Sequence, residues 1–366
     1  MKFKRKLILL LFLIALLVVS IYVLPGFIPF YDHYIFYPFQ SFRIIVFGWL
    51  PISIGDVLYV SGGVGLLVTI IKWIYFIAKF SANKTRLAAS VLNTINTVLF
   101  VYCLFIIGWG ANYEKPPLRE YWGLAIPAQE DRAERRKTDS LALIAFDQFL
   151  VDKLNSSAQN YHPLPFTEIN KRAKAYYRAC TDSKVRMYGL DIKRSLFGYY
   201  MERMAIDGYY NPFTGEGQVK SSLPAFMMPF VVCHEMAHQA GIAAEGDANL
   251  MAYAVGTATD DISFNYSAYL NIWLYTNSRL FRRDSVTAKQ FEAQLNKLTT
   301  AHIDTLEQLS KKYNNEVSRY GTELYDGYLK MQNQKEGIRS YGNVASSAWQ
   351  LELQRKNGKV GVISVP

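Results

Sequence analysis

Cysteine and histidine are scarce in this sequence, which has three cysteines and five histidines in 366 residues. So few cysteines exclude a disulfide-stapled fold, and although Cys180 and Cys233 could pair, a free core cysteine is the favoured interpretation of Cys233. The sequence also has no internal repeat, no low-complexity tract and no basic motif interleaved with aromatic residues. Its net charge of +10 therefore does not indicate nucleic-acid binding, and no nucleic-acid partner is expected.

Charge is absent from residues 7–24, LILLLFLIALLVVSIYVL, which follow the basic start MKFKRK. As a helix this run rises about 27 Å, which is nearly the hydrocarbon thickness of a bilayer. A cleaved signal peptide is the alternative, because it has the same basic start and apolar core. No A-x-A cleavage site of small residues follows the run, so an uncleaved membrane-spanning helix is favoured.

Two further apolar runs predict membrane-spanning helices at about 57–78 and 88–109. Residues 26–56 predict an interfacial loop or short helix, because Arg43 and Asp56 bracket too few uncharged residues for another crossing. Basic residues lie before the first span and between the second and third. The positive-inside rule places both sets in the cytoplasm, so three crossings put the rest of the chain outside.

The composition becomes that of a soluble domain after the third span, which predicts a membrane domain at 1–110 and an extracytoplasmic domain at 111–366. The mixture of Gly, Asn, Pro and aromatic residues in 208–222 predicts a hairpin or an edge strand. The predicted fold is mainly α, with three transmembrane helices followed by a predominantly helical domain that carries a small strand element. Apolar residues at helical spacing predict its helices at 139–156, 167–180, 261–282 and 286–333 (broken within), and a last one after Gly337.

The stretch VVCHEMAHQAG contains the pattern H-E-x-x-H at His234, Glu235 and His238. Residues four apart lie on one face of a helix, so both imidazoles can bind the same metal ion. Zinc would lower the pKa of a bound water towards about 7, and Glu235 is placed to take the proton of that water as general base. The pattern therefore predicts a zinc site with hydrolytic chemistry.

A third protein ligand is expected soon after Gly241, which can end the helix and turn the chain back towards the metal. Glu245 and Asp247 are the acidic candidates, and Glu245 is favoured because its side chain reaches further. Asn249 would stand one turn from Glu245 and could orient its carboxylate. The alternative is that neither acid binds metal and that both are ordinary acids in the first turn of a helix.

The motifs around His234 and Glu245 resemble those of known zinc-dependent proteins. HEMAHQAG with the following E-x-x-A-N is similar to the zincins in which a glutamate is the third ligand. Three N-terminal spans, YYNPFTGE, MPFVVCHEMAHQAG and EGDANLMAY together resemble an uncharacterised family of bacterial membrane-anchored proteins regarded as zinc metallopeptidases. That resemblance implies a zincin-like fold and a zinc cofactor, but no substrate. The family pattern E-D-E-A-N is E-G-D-A-N here, which keeps Glu245 and shortens the acid at Asp247.

Other site residues are harder to select from the sequence. In zincins the substrate lies along an edge strand, and 208–222 is the candidate for that strand by its order and composition. Hydrolysis also requires a donor to the developing oxyanion, for which Tyr266, Tyr341 and Arg339 are possible. The three remaining histidines have no partner at metal-ligand spacing and are interpreted as surface or hydrogen-bonded residues.

The expected function is that of a zinc-dependent metallopeptidase of the bacterial cytoplasmic membrane, with its catalytic domain on the periplasmic side. Membrane lipid and a peptide or protein substrate are its expected partners. The alternative is a catalytically inactive zinc-binding membrane protein that acts as a sensor or assembly factor. The sequence leaves the substrate and the oligomeric state open.

Overall fold

The computed structural model describes residues 2–24, 26–124, 132–180, 190–313 and 341–358. Its N-terminal helices are α1 (Lys2–Val23), α2 (Phe27–Tyr31), α3 (Tyr37–Phe47), α4 (Ile54–Ala78) and α5 (Phe80–Gly108). Of these, α1, α4 and α5 are long and apolar enough to cross a membrane, as the sequence predicts. Helix α5 begins earlier than its apolar run. The alanines, lysine and arginine of its first turns favour a helix, although this part of the sequence is not an apolar run.

The segment between α1 and α4 is helical over most of its length, and a π-helical turn at Asp32–Phe36 joins α2 to α3. Arg43 and Asp56, which the sequence suggested as charges flanking a surface segment, are 1% and 0% exposed. A buried arginine requires hydrogen-bond acceptors. Arg43 finds them on Gly108 and Pro212, which are distant in the sequence, and their presence was therefore not predictable from the local pattern.

The described residues form two compact units. The N-terminal unit comprises those of Met1–Lys115 together with Asn211–Glu216, and the C-terminal unit comprises those of Pro116–Tyr210 and Gly217–Pro366. The chain thus leaves the C-terminal unit for six residues and then returns to it. A short 3₁₀ helix at Gly110–Glu114 ends the first part of the N-terminal unit.

The C-terminal unit is mainly helical, in agreement with the predicted fold class. Its helices are α6 (Leu118–Tyr121), α7 (Arg132–Ala158), α8 (Phe166–Ala179), α9 (Gly198–Arg203), α10 (Met228–Gln239), α11 (Glu245–Thr257), α12 (Ile262–Phe281), α13 (Ser285–Glu292), α14 (Lys297–Tyr313) and α15 (Tyr341–Lys356). Carboxylate caps fix two of the helix starts: Asp261 accepts from the amides of Ser263 and Phe264, and Asp284 accepts from that of Thr287. The predicted helix at 286–333 is broken after α13, and its part beyond α14 lies outside the described residues.

Three short strands form one sheet in the C-terminal unit: β1 (Ile192–Arg194), β2 (Gly208–Tyr210) and β3 (Gly217–Val219), in the order β1-β3-β2. Strands β2 and β3 are antiparallel, which confirms the predicted hairpin, and β2 lies at the edge of the sheet. Strand β1 pairs in parallel with β3. The sequence did not predict β1, because three residues are too few to show an alternating pattern.

The core of the C-terminal unit surrounds α10, α11 and α12. On α10 the side chains of Val232, Cys233, Met236 and Ala237 are fully buried, and Cys233 is a free thiol, as expected. Burying each large apolar side chain contributes about 1.5–3 kcal/mol. The helix that carries the H-E-x-x-H pattern is therefore held on its apolar side by close packing, and its opposite side carries the polar residues of the site.

Candidate metal centre

A glycine turn ends α10 directly after its second histidine. Gly241 has a φ of 85°, its amide donates to His238 O, and the amide of Ile242 donates to Ala237 O. This pair of hydrogen bonds is a Schellman motif, which requires the left-handed conformation that glycine adopts without a Cβ penalty. The turn ends the helix where the sequence predicts, and it leads the chain to α11, whose first residue is Glu245.

Three side chains converge beyond that turn. His234 Nε2 and His238 Nε2 lie 3.1 Å apart, and the two carboxylate oxygens of Glu245 lie 3.2 Å from the first and 3.5 Å from the second. All three side chains are largely buried, with exposures of 13%, 7% and 6%. One ligand atom from each residue lies within 4.8 Å of the others. This group could hold a metal ion, and it is composed of the two histidines and the acid that the sequence favours.

Both imidazoles are oriented by hydrogen bonds at the ring nitrogen that faces away from Glu245. His234 Nδ1 lies 2.8 Å from Asn249 Oδ1, and His238 Nδ1 lies 2.7 Å from the carbonyl oxygen of Ile242. A carbonyl oxygen only accepts, so each Nδ1 carries a proton, and each Nε2 is the ring nitrogen that can bind a metal once it has no proton of its own. Two facing lone pairs repel each other unless a proton or a cation lies between them, so this tautomer suits a metal ligand.

Asn249 supports the site differently from the sequence-based expectation, because its amide oxygen contacts His234 and not Glu245. Asp247 is half-buried, and its carboxylate accepts from the amide of Leu118 at 3.0 Å. Burial raises the pKa of Asp247 to about 6, against the lowering effect of that hydrogen bond. The group of possible metal ligands in the described residues includes Glu245 and does not include Asp247.

Glu235 lies beside the group of His234, His238 and Glu245 and is 3% exposed. Two strand glycines leave room for it: a Cβ on Gly208 would lie 2.5 Å from Glu235 Oε1, and one on Gly217 would lie 3.3 Å from Glu235 Cβ. The other carboxylate oxygen, Oε2, has no hydrogen-bond partner among the described residues. Burial raises the pKa of Glu235 to about 7, despite the opposing charges of His234 and His238. A carboxylate in this state can gain or lose a proton near neutral pH.

The charges of His234, His238 and Glu245 influence one another strongly. Burial acts against the charge on His238, yet the charge and hydrogen bond of Glu245 raise the pKa of this histidine to about 9. Burial likewise disfavours the charge on Glu245, but the two imidazoles hold its pKa well below the ordinary value. Glu245 therefore stays a carboxylate, which is the form that binds a cation.

The tyrosines selected from the sequence are not part of this group. Tyr266 is fully buried, and its hydroxyl hydrogen-bonds to Thr299 and to His302 Nδ1. The ring of His302 stacks on Phe226 at 4.0 Å, so this histidine is hydrogen-bonded and packed, as expected of the remaining histidines. The side chain of Tyr341 and the whole of Arg339 lie outside the described residues.

Two other tyrosines that the sequence did not select lie near the ligands. The ring centroid of Tyr210, on β2, is 6.4 Å from that of His238. Burial, and then the charges of Asp207 and Glu245, raise the pKa of Tyr275 on α12. The chain has 26 tyrosines, and no spacing rule distinguishes these two, because β2 and α12 meet the site only through the tertiary fold.

Comparison with known proteins gives one match. No curated protein and no solved structure matches the chain. A family described as proteins of unknown function, DUF3810, matches residues 31–346, which include the H-E-x-x-H pattern, Glu245 and the hairpin. Because this match covers most of the sequence, the chain belongs to the DUF3810 family of proteins of unknown function.

Proposed function

We propose that the chain is a membrane-anchored, zinc-dependent peptidase. The observation that carries the proposal is the convergence of His234 Nε2, His238 Nε2 and the Glu245 carboxylate at separations of 3.1 to 3.5 Å, with Glu235 beside them. In a tetrahedral zinc site with bonds of about 2.0–2.1 Å, two ligand atoms lie about 3.3 Å apart. The separations of 3.1 to 3.5 Å fit that geometry, and three protein ligands would leave the fourth position of a tetrahedral ion for water or substrate.

The chemistry follows from the residues present. Zinc held by this group would act as a Lewis acid on a water molecule and on the substrate carbonyl. Glu235 accepts a proton at Oε2, the oxygen without a hydrogen-bond partner among the described residues, and returns it to the leaving amine nitrogen. Because the pKa of Glu235 is about 7, both halves of this proton transfer are accessible near neutral pH.

In this proposal the substrate backbone lies along β2, an edge strand of the sheet, and pairs with it by main-chain hydrogen bonds. Gly208 on this strand approaches Glu235, so a peptide paired with β2 would lie beside the catalytic carboxylate. Tyr210, whose ring centroid lies 6.4 Å from that of His238, and Tyr275 on α12 are candidate donors to the developing oxyanion. Tyr341 remains a prediction from the sequence.

The proposal includes the side of the membrane. Lys2, Lys4, Arg5 and Lys6 precede the apolar part of α1, and Lys79, Lys84 and Arg86 lie between the apolar parts of α4 and α5. The positive-inside rule then places the C-terminal unit outside the cytoplasm. Fusion of a periplasm-dependent reporter after residue 124 should give active reporter, whereas fusion between α4 and α5 should not. The reverse pattern would refute this orientation.

Glu235→Gln provides the direct test of the function. The full-length protein, purified in lipid nanodiscs with zinc, should hydrolyse unstructured peptides, and the variant should bind one zinc ion per chain but lose hydrolysis by about 100-fold or more. His234→Ala is the matched control, since it should lose zinc and activity together. Hydrolysis retained by Glu235→Gln would reject the role of Glu235. Zinc bound to the wild type without cleavage of any peptide would instead support the inactive zinc-binding sensor or assembly factor.

A further inference from the structure

The loop Asn211–Glu216 joins β2 to β3 and is held together by hydrogen bonds of its own. Asn211 Oδ1 accepts from the amides of Phe213 and Thr214, and the main chain of Asn211 hydrogen-bonds to Gly215 and to Glu216. Gly215 has a φ of +71°, which favours glycine. Asn211, Thr214 and Glu216 are 0%, 3% and 4% exposed, which is unusual for the tip of a short hairpin.

Arg43 and Gln40 of α3 hold one side of this loop. Arg43 Nη1 donates to the carbonyl oxygen of Pro212, and Arg43 Nη2 donates to Gln40 Oε1 and to Gly108 O. Gln40 Nε2 donates to Gly215 O at 3.0 Å. The contact is close, since a Cβ on Gly215 would lie 2.7 Å from Gln40 Oε1. The two side chains thus fix two carbonyl groups of the loop.

The first turn of α4 holds the other side. Glu216 Oε2 accepts from the amide of Gly55 at 2.6 Å, and Oε1 accepts from that of Ile54 at 3.3 Å. A carboxylate at this position satisfies helix amides that have no partner within the helix and interacts favourably with the helix dipole. Gly55 also permits close approach, because a Cβ there would lie 2.6 Å from Asn211 Nδ2. We call Arg43, Gln40 and the first turn of α4 the clamp.

The two strands that leave the loop lead directly to the candidate site. Tyr210 ends β2 and is followed by Asn211, while Glu216 is followed by Gly217, which begins β3. These strands carry the two glycines that approach Glu235. A Cβ added to Gly208 would lie only 2.5 Å from Glu235 Oε1. Each strand has three residues, which is too short to hold its position firmly by pairing alone.

We propose that the clamp, by holding the loop Asn211–Glu216, fixes the positions of β2 and β3 beside Glu235. This inference rests on the proposed peptidase function for its effect on activity, but the positioning itself does not. Buried charges such as Arg43 and Glu216 add little net stability, because desolvation offsets their hydrogen bonds. Their directional contacts with loop carbonyls and helix amides are suited to fixing a geometry.

Glu216→Gln and Arg43→Gln test the proposal in the full-length protein in nanodiscs. In Glu216→Gln an NH₂ group replaces one of the two oxygens that accept from the amides of Ile54 and Gly55, so two donors face each other. In Arg43→Gln the hydrogen bond to the carbonyl oxygen of Pro212 is lost. Hydrogen exchange at the amides of β2 and β3 should become about tenfold faster or more, with zinc content unchanged. The kcat for peptides should fall about 10- to 100-fold, because a displacement of about 1 Å at the reacting groups has that effect. Arg86→Gln, an exposed arginine of the same unit, is the matched control.

Two results would overturn the proposal: strand exchange equal to that of Arg86→Gln, or loss of zinc together with faster exchange throughout α10 and α12. The second result would show that the clamp supports stability in general and not the position of the strands. If the wild type hydrolyses no peptide, the proposed function fails on its own. The exchange of β2 and β3 at constant zinc content then still decides whether the clamp positions the strands.

Discussion

Replacing Gly208 with alanine tests whether the position of Glu235 matters for catalysis. The new Cβ would lie 2.5 Å from Glu235 Oε1 and 2.9 Å from the backbone oxygen of Gln218. Carbon and oxygen atoms normally approach no closer than about 3.3 Å. The contact with the carboxylate therefore requires a shift of about 0.8 Å. Because Gln218 O belongs to the paired strand β3 and restricts the movement of β2, much of this shift must be taken by Glu235.

A displacement of this size at a reacting group costs about 100-fold in rate, which corresponds to about 2.7 kcal/mol in the activation free energy. We expect kcat/KM of Gly208→Ala to fall by that factor. The substrate would be a peptide library of random sequence or a generic fluorogenic peptide. Zinc content should stay at the wild-type value, because the three atoms nearest to the new methyl group belong to Glu235 and Gln218 and not to the proposed zinc ligands. Gly198→Ala is the matched control, since its Cβ would meet only Ser221 N at an ordinary 3.8 Å.

Steady-state kinetics and metal analysis of the two variants, side by side, give the answer. Wild-type kcat/KM in Gly208→Ala with zinc bound would refute the reasoning, because it would mean that the carboxylate works equally well after a forced displacement. Loss of zinc from Gly208→Ala would contradict it in another way, since the strand would then shape the ligands and not only the base.

Three further predictions concern metal binding and stability. Zinc must displace the proton that Glu245 stabilises on His238. The apparent zinc affinity should therefore rise by up to about tenfold for each unit of increasing pH, up to about pH 9. Equal affinities at pH 6 and pH 8 in a chelator competition would contradict this prediction. Asn249→Ala should weaken zinc binding about 10- to 100-fold in the same assay, because His234 Nδ1 loses its acceptor, whereas Asp247→Asn should not. Burial raises the pKa of Asp147 to about 7, above its value of about 3.9 in the unfolded chain, so the folded state binds the extra proton between these values. The free energy of unfolding should therefore fall by up to about 4 kcal/mol as the pH rises from about 4 to about 7, and thermal unfolding of Asp147→Asn, compared with the wild type at pH 5 and pH 8, should lack this contribution.

Much of the secondary structure follows from local patterns. The uncharged runs predict α1, α4 and α5, and apolar positions at helical spacing predict α7, α8 and α12, because helix formation and its amphipathic face depend on residues three and four apart. Gly, Asn and Pro within an aromatic-rich segment predict a hairpin or an edge strand at 208–222, and β2 and β3 form the hairpin. Strand β1 was not, because it exists only through its pairing with β3.

The group of residues that could hold a metal follows from local patterns as well. Two histidines four apart on a buried helix share a face, and Gly241 turns the chain so that a glutamate near the next helix start can return to them. What Asn249 contacts did not follow, because a side-chain amide can reach several neighbours and the packing of α10 against α11 selects His234. Tyr275 could not be selected either, since its place near Glu245 depends on how α12 crosses the other two helices.

The sequence by itself determined three apolar helices, a mainly helical remainder and a cluster of two imidazoles and one carboxylate, because each depends on residues close together in the chain. Only the tertiary structure decided that Gly208 and Gly217 leave room for Glu235, and that Arg43 and Glu216 hold the loop between their strands. Those contacts join residues separated by 18 to 169 positions. Their geometry is set by how whole helices and strands pack, and that packing is a property of the complete fold and not of any one segment.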